Sequence, residues 1–183
     1  MNKGLLDYFS KMKGRTKSPP GVGLKEIIWS WIGAFVGISV VGYIHYYILA
    51  GTSFMMMIAS FAASSVLIYG TPRSPFAQPR NVLGGHVLSA FVGVICYKVV
   101  GFCPWVACAI AAPTVIALMH ATKTVHPPAG ATALIAIMGE ERVHSLGFWY
   151  PFIPVGAGIV ILLIVALVVN NIPKTRRYPE FWV

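Results

Sequence analysis

Long apolar stretches separated by short polar linkers dominate this chain. Five of them are long, and they cover residues 26–50, 52–70, 82–102, 104–119 and 151–170. A helix needs about 20 apolar residues to cross the roughly 30 Å hydrocarbon core of a bilayer. Because a helix pairs its own backbone groups in lipid, the pattern predicts an all-α, polytopic membrane helix bundle.

A sixth apolar stretch, residues 129–139, is shorter. As a helix it is about 16 Å long, which is half a membrane. If it crosses, both termini and the linkers with Arg73, Arg80 and Lys123 share one side. The positive-inside rule then makes that side cytoplasmic. If it only re-enters, five crossings leave the basic C-terminal tail outside. We predict about six membrane segments, including this short helix.

The two ends of the chain differ from the middle. Residues 1–25 are basic, and Leu5, Tyr8, Phe9 and Met12 recur at helical spacing, which predicts an interfacial helix. Residues 26–172 form the predicted transmembrane domain. Residues 173–183 combine basic and aromatic side chains and are predicted to anchor the chain at the cytoplasmic surface.

Composition supports a membrane protein, and charge indicates its partners. Hydrophobic residues make up 57% of the chain and charged residues 10%, against about 25% charged residues in a soluble domain. The net charge of +9 is explained by topology and by anionic lipid head groups rather than by nucleic acid. Gly33 and Gly37 form a GxxxG pattern, which predicts a contact between copies in a homo-oligomer.

The most polar stretch between apolar segments is residues 120–130, with the sequence HATKTVHPPAG. Proline cannot continue a preceding helix but suits the first turn of a new one. We therefore predict a helix start at Pro127. Its first free amides are expected from Ala129, Gly130 and Ala131, and such amides attract anions.

A weak internal repeat relates two parts of the chain. Residues 62–67 (AASSVL) match residues 111–116 (AAPTVI) at a separation of 49, and the same shift places Pro79 on Pro128. The repeat predicts two helix starts, at Pro79 and Pro128, that face the same side of the membrane. Transporters often build their sites from paired repeats and interrupted helices.

Acidic residues are absent from the predicted spans, apart from their ends. The five carboxylates are Asp7, Glu26, Glu140, Glu141 and Glu180. A cation pathway usually requires a buried acid, so the pattern favours an anion. The predicted binding residues lie around the two helix starts: Arg80, Asn81, His86, His120, Thr122, Lys123, Thr124, His126, Pro127, Pro128, Ala129 and Gly130.

Several of these residues have a structural alternative. His126 could cap a helix, His86 could bond one helix to another, and Arg80 could serve topology alone. The histidine spacings match no familiar metal or haem motif, so no cofactor is predicted. A haem- or metal-binding membrane protein and a non-transporting accessory subunit remain alternatives. An enzyme is not expected, because the chain shows no nucleophile–base pair, phosphate loop or paired carboxylates.

Three segments identify a family resemblance: residues 69–81 (YGTPRSPFAQPRN), Gly84-Gly85-His86, and residues 126–134 (HPPAGATAL). They resemble the HPP family of integral membrane proteins, named for its His-Pro-Pro motif. The resemblance implies a small helical protein with at least four spans and a transport function. Plant members are associated with nitrite movement across the chloroplast envelope. Some bacterial members carry a C-terminal CBS module, which is not expected in this sequence. Because residues 1–25 show no clear transit peptide, the chain looks more like a bacterial member, and a bacterial plasma membrane is expected.

These observations combine into one hypothesis. A small monovalent anion, with nitrite as the leading candidate, binds where the two proline-initiated helices meet. Amides of Ala129 and Gly130 and the hydroxyls of Thr122 and Thr124 donate hydrogen bonds to it. Arg80 and Lys123 raise the local anion concentration, and His126 or His120 carries a coupled proton.

Overall fold

The computed structural model describes residues 3–52 and 54–183 and is helical throughout its regular parts. In these ranges the chain forms α1 (Lys3–Ser10), α2 (Leu24–Tyr43), α3 (Ala59–Ser65), α4 (Pro79–Val100), α5 (Pro104–Thr122), α6 (Ala129–Met138), α7 (Glu141–Leu146) and α8 (Ala157–Val169). Wider π-helical turns extend α2 and α3 and precede α8: Ile44–Ile48, Val66–Gly70 and Pro151–Gly156. Short 3₁₀ turns lie at Pro75–Ala77 and Gly147–Trp149.

Four helical stretches of the described chain are long and apolar enough to cross a membrane: Leu24–Ile48, Pro79–Val100, Pro104–Thr122 and Pro151–Val169. Two further apolar helices are shorter, Ala59–Gly70 and Ala129–Met138. The predicted membrane helix bundle is therefore confirmed. Helix α1 leaves Leu5, Tyr8 and Phe9 exposed, as an interfacial helix would.

The prediction of a helical span over residues 52–70 is wrong for about its first third. Residues 54–58 form no helix, and Ile58 is extended at φ −119° and ψ 140°. The Met56 N–H donates to Nδ1 of His45 at 3.1 Å instead of to a helical carbonyl. The helix begins only at Ala59, and its 12 residues reach about 18 Å.

The bundle has two chemically different ends. At the first, here called the basic end, Arg176 of the tail pairs with Glu26 at the start of α2 at 2.7 Å. At the opposite end, a cavity of about 410 Å³ is lined by His45, Ala59 and Glu140 among others. Helix α6 begins beside the start of α4 and ends beside this cavity. Helix α6 has 10 residues and is about 15 Å long, so the six-segment count stays a prediction.

Small residues let the central helices approach closely. Helix α4 packs against both α5 and α6, and α2 packs against α8. A Cβ on Gly93 of α4 would lie 2.5 Å from the Ala133 carbonyl oxygen of α6. Backbone contact of this kind is possible only without a side chain, and it is typical of membrane helix pairs. It places His86 on α4 next to Thr132 on α6.

The GxxxG pattern of α2 is used inside the chain. A Cβ on Gly33 would lie 2.6 Å from Cδ1 of Tyr69, and one on Gly37 would collide with the Tyr69 hydroxyl. Tyr69 is fully buried, and its hydroxyl donates to the Leu162 carbonyl of α8 at 3.0 Å. Tyr69 of the same chain thus covers both glycines, and a homo-oligomer stays a prediction.

Gly37→Ala tests this packing. The added methyl meets a Tyr69 ring that is pinned by its hydrogen bond, so we expect the free energy of unfolding to fall by about 1–3 kcal/mol. Unfolding in mild detergent measures the change. Gly70→Ala is the matched control, because a Cβ there meets nothing within 4 Å. Unchanged stability together with a changed oligomeric state in gel filtration would contradict the assignment.

Candidate functional site

The two proline-initiated helix starts meet at the basic end, as the repeat predicts. Nδ2 of Asn81, in the first turn of α4, donates to the Val125 carbonyl at 3.0 Å. The Arg80 guanidinium donates to the Thr122 carbonyl at 3.1 Å. A Cβ on Gly85 would lie 2.9 Å from the Thr124 carbonyl oxygen. The glycine therefore lets the loop between α5 and α6 lie directly on α4.

The His-Pro-Pro segment forms a tight turn, and this corrects the predicted helix start. Pro127 and Pro128 lie in the turn, and α6 begins at Ala129. Three successive amides donate back to carbonyls three residues earlier: Ala129 to His126 at 2.9 Å, Gly130 to Pro127 at 3.1 Å and Ala131 to Pro128 at 3.1 Å. The prediction of free amides at these three positions is wrong, because the turn itself supplies their acceptors.

His126 lies inside the bundle with no exposed surface. Its Nδ1 is 2.7 Å from the Phe76 carbonyl oxygen in the linker before α4. Its Nε2 is 2.9 Å from the Ser64 hydroxyl in α3. The motif histidine therefore joins the loop, the linker and α3, and both ring nitrogens are occupied by protein partners.

His86 is also fully buried and shares Ser64 with His126. Its Nε2 is 2.7 Å from Ser64 Oγ, and its Nδ1 is 2.7 Å from Thr132 Oγ1 in α6. Thr132 Oγ1 is in turn 2.9 Å from Ser60 Oγ, and the two imidazole centroids are 5.1 Å apart. We call these five residues, Ser60, Ser64, His86, His126 and Thr132, the Ser-His cluster.

Sequence reasoning named the two histidines but missed the other three members. Ser60 and Ser64 are four residues apart in α3, and that spacing places both on one helix face. Polar side chains on one face of an apolar helix are a signal that could have found them. In lipid, buried polar groups are costly unless they are paired, and every member of the cluster is paired.

The linker that carries Phe76 is held firmly. Gln78 is buried, and its Nε2 donates to the carbonyls of Pro72 at 2.9 Å and Ser74 at 2.8 Å. The Tyr178 hydroxyl of the tail donates to the Ala77 carbonyl at 2.8 Å. Burial raises the pKa of the Tyr178 phenol, so it remains a neutral donor. The sequence placed Tyr178 in a surface anchor, whereas the structure packs it against the linker.

The remaining predicted site residues lie on the outer side of the junction. His120, Thr122 and Lys123 are exposed, and Lys123 ends α5 in the left-handed region at φ 56°. The hydroxyls of Thr122 and Thr124 are 2.7 Å apart. The predicted site is thus divided into a buried half around His126 and an exposed half around Lys123.

A crevice of about 670 Å³ lies beside the junction. Arg80 and Thr124 contribute polar groups, but most of its lining is apolar, including Leu83, Phe152 and Val160. Phe152 and Val160 are also exposed on the bundle surface. An apolar crevice of this kind suits lipid chains rather than an ion.

Within residues 3–52 and 54–183, no group of three or more His, Cys, Asp or Glu side chains is placed to hold a metal ion.

Two transmembrane proteins of Dictyostelium discoideum are similar in sequence to this chain. One is 46% identical over 180 residues, which are 97% of this chain and 58% of that protein. The other is 45% identical over 185 residues, which are 97% of this chain and 64% of that protein. The chain thus spans about three fifths of the length of these relatives. No solved structure matches it significantly.

The sequence profile described as "HPP, transmembrane region" matches residues 19–179. This match covers every helix from α2 to α8, including the His-Pro-Pro turn and the Ser-His cluster. The chain belongs to the HPP family of multi-pass integral membrane proteins.

Proposed function

We propose that this protein carries a small monovalent anion across a membrane, with nitrite as the leading candidate. The observation that carries the proposal is the Ser-His cluster, a buried polar group set where two proline-initiated helices meet. Such groups inside a membrane protein mark solute or proton pathways by default. The family resemblance to nitrite-associated plant members directs the choice of the first substrate.

The distribution of charge favours an anion over a cation. Three of the five carboxylates form ion pairs with basic side chains: Asp7 with Lys11, Glu26 with Arg176, and Glu180 with Arg73. Glu140 and Glu141 are exposed near the opposite end. A cation crossing the bundle would therefore find positively polarised or neutral groups at the junction.

The exposed half of the site is the proposed approach for the anion. Lys123 is exposed and Arg80 is half-buried at the same junction, so their fields add at the basic end. The hydroxyls of Thr122 and Thr124 are the nearest neutral donors. His126 is closed off from water, so an anion passes only after the linker or the loop moves. A carrier with alternating access fits this arrangement better than an open channel.

Membrane placement follows from the same charges. We propose that the basic end is cytoplasmic, with the exposed Lys174 and Arg177 near anionic lipid head groups. A bacterial plasma membrane remains our prediction for the location. The role is transport rather than catalysis.

Nitrite flux into vesicles containing the purified protein tests the proposal. Arg80→Gln combined with Lys123→Gln is expected to lower the initial rate about tenfold, because the two charges concentrate the anion at the junction. Lys174→Gln is the control, since it removes an exposed charge of the same end away from the junction. Flux is also compared for nitrate, formate and chloride to rank the substrates.

Two results would count against the proposal. Wild-type vesicles that take up none of these anions faster than empty vesicles would remove the transport function. Equal rates for the double variant and the Lys174→Gln control would remove the junction as the site of approach.

A further inference from the structure

The anion proposal leaves both buried histidines without a chemical task, and their neighbours fix where their hydrogens lie. Nδ1 of His126 is 2.7 Å from the Phe76 carbonyl oxygen, and a carbonyl can only accept. His126 therefore carries hydrogen on Nδ1. When the ring is neutral, its Nε2 is an acceptor, and the Ser64 hydroxyl donates to it at 2.9 Å instead of to the Ser60 carbonyl at 2.9 Å.

This assignment propagates to the second histidine. Ser64 has one hydroxyl hydrogen, so its oxygen accepts from Nε2–H of His86 at 2.7 Å. Nδ1 of His86 is then an acceptor, and Thr132 donates to it at 2.7 Å. In this state Thr132 does not donate to Ser60 Oγ, which lies 2.9 Å away. The neutral cluster thus forms one continuous chain of donors and acceptors from Thr132 to Phe76.

The same geometry accommodates one added proton without losing a hydrogen bond. A proton on Nδ1 of His86 makes both nitrogens of that ring donors, to Ser64 and to Thr132. Thr132 then turns its own hydrogen to Ser60 Oγ, which is 2.9 Å away. No polar atom of the chain from His86 to His126 is left unpaired in either protonation state.

Ser64 can pass the charge between the rings. The Nε2–H bond of His86 breaks as an O–H bond forms on Ser64, and the original Ser64 O–H bond breaks as Nε2–H forms on His126. The cluster keeps the same number of protons, and His86 becomes neutral as His126 becomes the cation. A second proton would place like charges on rings with centroids 5.1 Å apart, which is unfavourable. The capacity is therefore one.

The groups that face the two rings come from several elements. Helix α3 contributes Ser60, Ser64 and the edge of the Phe61 ring. Helix α6 contributes Thr132, whose carbonyl accepts from the Tyr150 hydroxyl at 3.2 Å. The three ion pairs among the described residues, Lys11–Asp7, Arg73–Glu180 and Arg176–Glu26, all lie elsewhere. The two histidines are thus the titratable pair of this cluster.

The cluster also has a direction across the bundle. His126 contacts the linker at the basic end. His86 connects through Thr132 to Ser60, which directly follows Ala59 in the wall of the cavity at the opposite end. That cavity of about 410 Å³ also contains His45 and Glu140. A proton moving between the rings therefore moves along the path between the two ends.

We propose that His86, Ser64 and His126 form a one-proton relay that couples each anion to one proton, an inference that rests on the proposed anion transport. One proton moving with one monovalent anion leaves the net charge unchanged. Transport is then independent of the membrane potential, and a proton gradient drives accumulation of the anion.

Vesicles containing the protein, a trapped pH-sensitive dye and a sodium nitrite gradient test the relay. In the wild type we expect one proton to enter with each nitrite and the rate to be unaffected by valinomycin in symmetrical potassium. In Ser64→Ala we expect proton entry to be lost and the remaining nitrite flux to require valinomycin. Ser64→Thr keeps the hydroxyl and is expected to behave as the wild type. Empty vesicles correct for leakage of nitrous acid.

Failures of the two proposals are distinguishable. Nitrite flux without proton entry in the wild type would overturn the relay and leave anion transport standing. If no flux occurs under either condition, anion transport fails, and the relay is judged without substrate by ¹⁵N NMR of histidine-labelled protein in lipid nanodiscs. A shared proton makes the His86 and His126 signals shift in one step on acidification, and Ser64→Ala separates the steps. Separate steps or no titration in the wild type would overturn the relay.

Discussion

Arg176→Ala is expected to unfold the basic end of the bundle. The Arg176 side chain is 2% exposed, and its three nitrogens donate to five acceptors from α2, from the turn that extends α3 and from the residue that follows α8. These acceptors are Glu26 Oε2 at 2.7 Å, the Glu26 carbonyl at 2.9 Å, Ser30 Oγ at 2.9 Å, the Tyr69 carbonyl at 3.1 Å and Asn170 Oδ1 at 3.1 Å. The substitution leaves all five without this donor.

The expected cost follows from this arrangement. Removing one partner of a buried ion pair typically costs 3–5 kcal/mol. Glu26 is 33% exposed, so water partly compensates its charge. We therefore expect the free energy of unfolding to fall by about 3 kcal/mol, the lower end of that range. Thermal unfolding in detergent measures the loss.

Arg177→Ala is the matched control for this prediction. Arg177 is the exposed neighbour of the buried Arg176, and exposed substitutions usually change stability by less than about 0.5 kcal/mol. Equal unfolding temperatures for the two variants would contradict the structural role of Arg176.

Gly93→Ala is expected to separate α4 from α6. The new Cβ would lie 2.5 Å from the Ala133 carbonyl oxygen and 2.8 Å from its Cα. These are backbone atoms, which a rotamer change cannot move, so the helices must shift apart. We expect a loss of about 3 kcal/mol, the upper end of the usual cost of overpacking. Because the same helix pair carries His86 and Thr132, nitrite flux is expected to fall with stability.

Gly130→Ala gives the control of the same size. This substitution adds one methyl group to α6 at a position where a Cβ meets nothing within 4 Å. Alanine is the better helix former by about 0.5–1 kcal/mol, so stability is expected to stay equal or rise. Chemical unfolding of both variants in the same detergent gives the comparison. A Gly93→Ala protein as stable as Gly130→Ala would show that α4 and α6 are not in backbone contact.

Much of the fold is predictable because it depends on local sequence. The apolar runs predict the membrane helices, since each run must be long enough to cross the hydrocarbon core. Pro79 and Pro128 predict two helix starts, because proline ends one helix and suits the start of the next. The predicted start of α6, Pro127, lies two residues before the observed start, Ala129. The chain forms a turn there, and the carbonyls of this turn accept hydrogen bonds from the amides that were predicted to be free.

Long-range partners are not predictable in this way. Ser64 and His126 are 62 residues apart, and Glu26 and Arg176 are 150 residues apart. Neither pair shows a spacing or a motif that links its members. The contact of Tyr69 with Gly33 and Gly37 is also long-range. The GxxxG motif predicts a close contact at these glycines but does not indicate which side chain makes it.

The sequence by itself determined that this is a helical membrane protein with a polar junction at the His-Pro-Pro motif. Hydrophobic length and proline stereochemistry act within one segment, so a linear reading captures them. Only the tertiary structure decided that Arg176 lies inside, that the motif amides are satisfied, and that His86 and His126 share Ser64. Those outcomes depend on which helices pack together, and in a bundle that choice is made by side chains far apart in the chain.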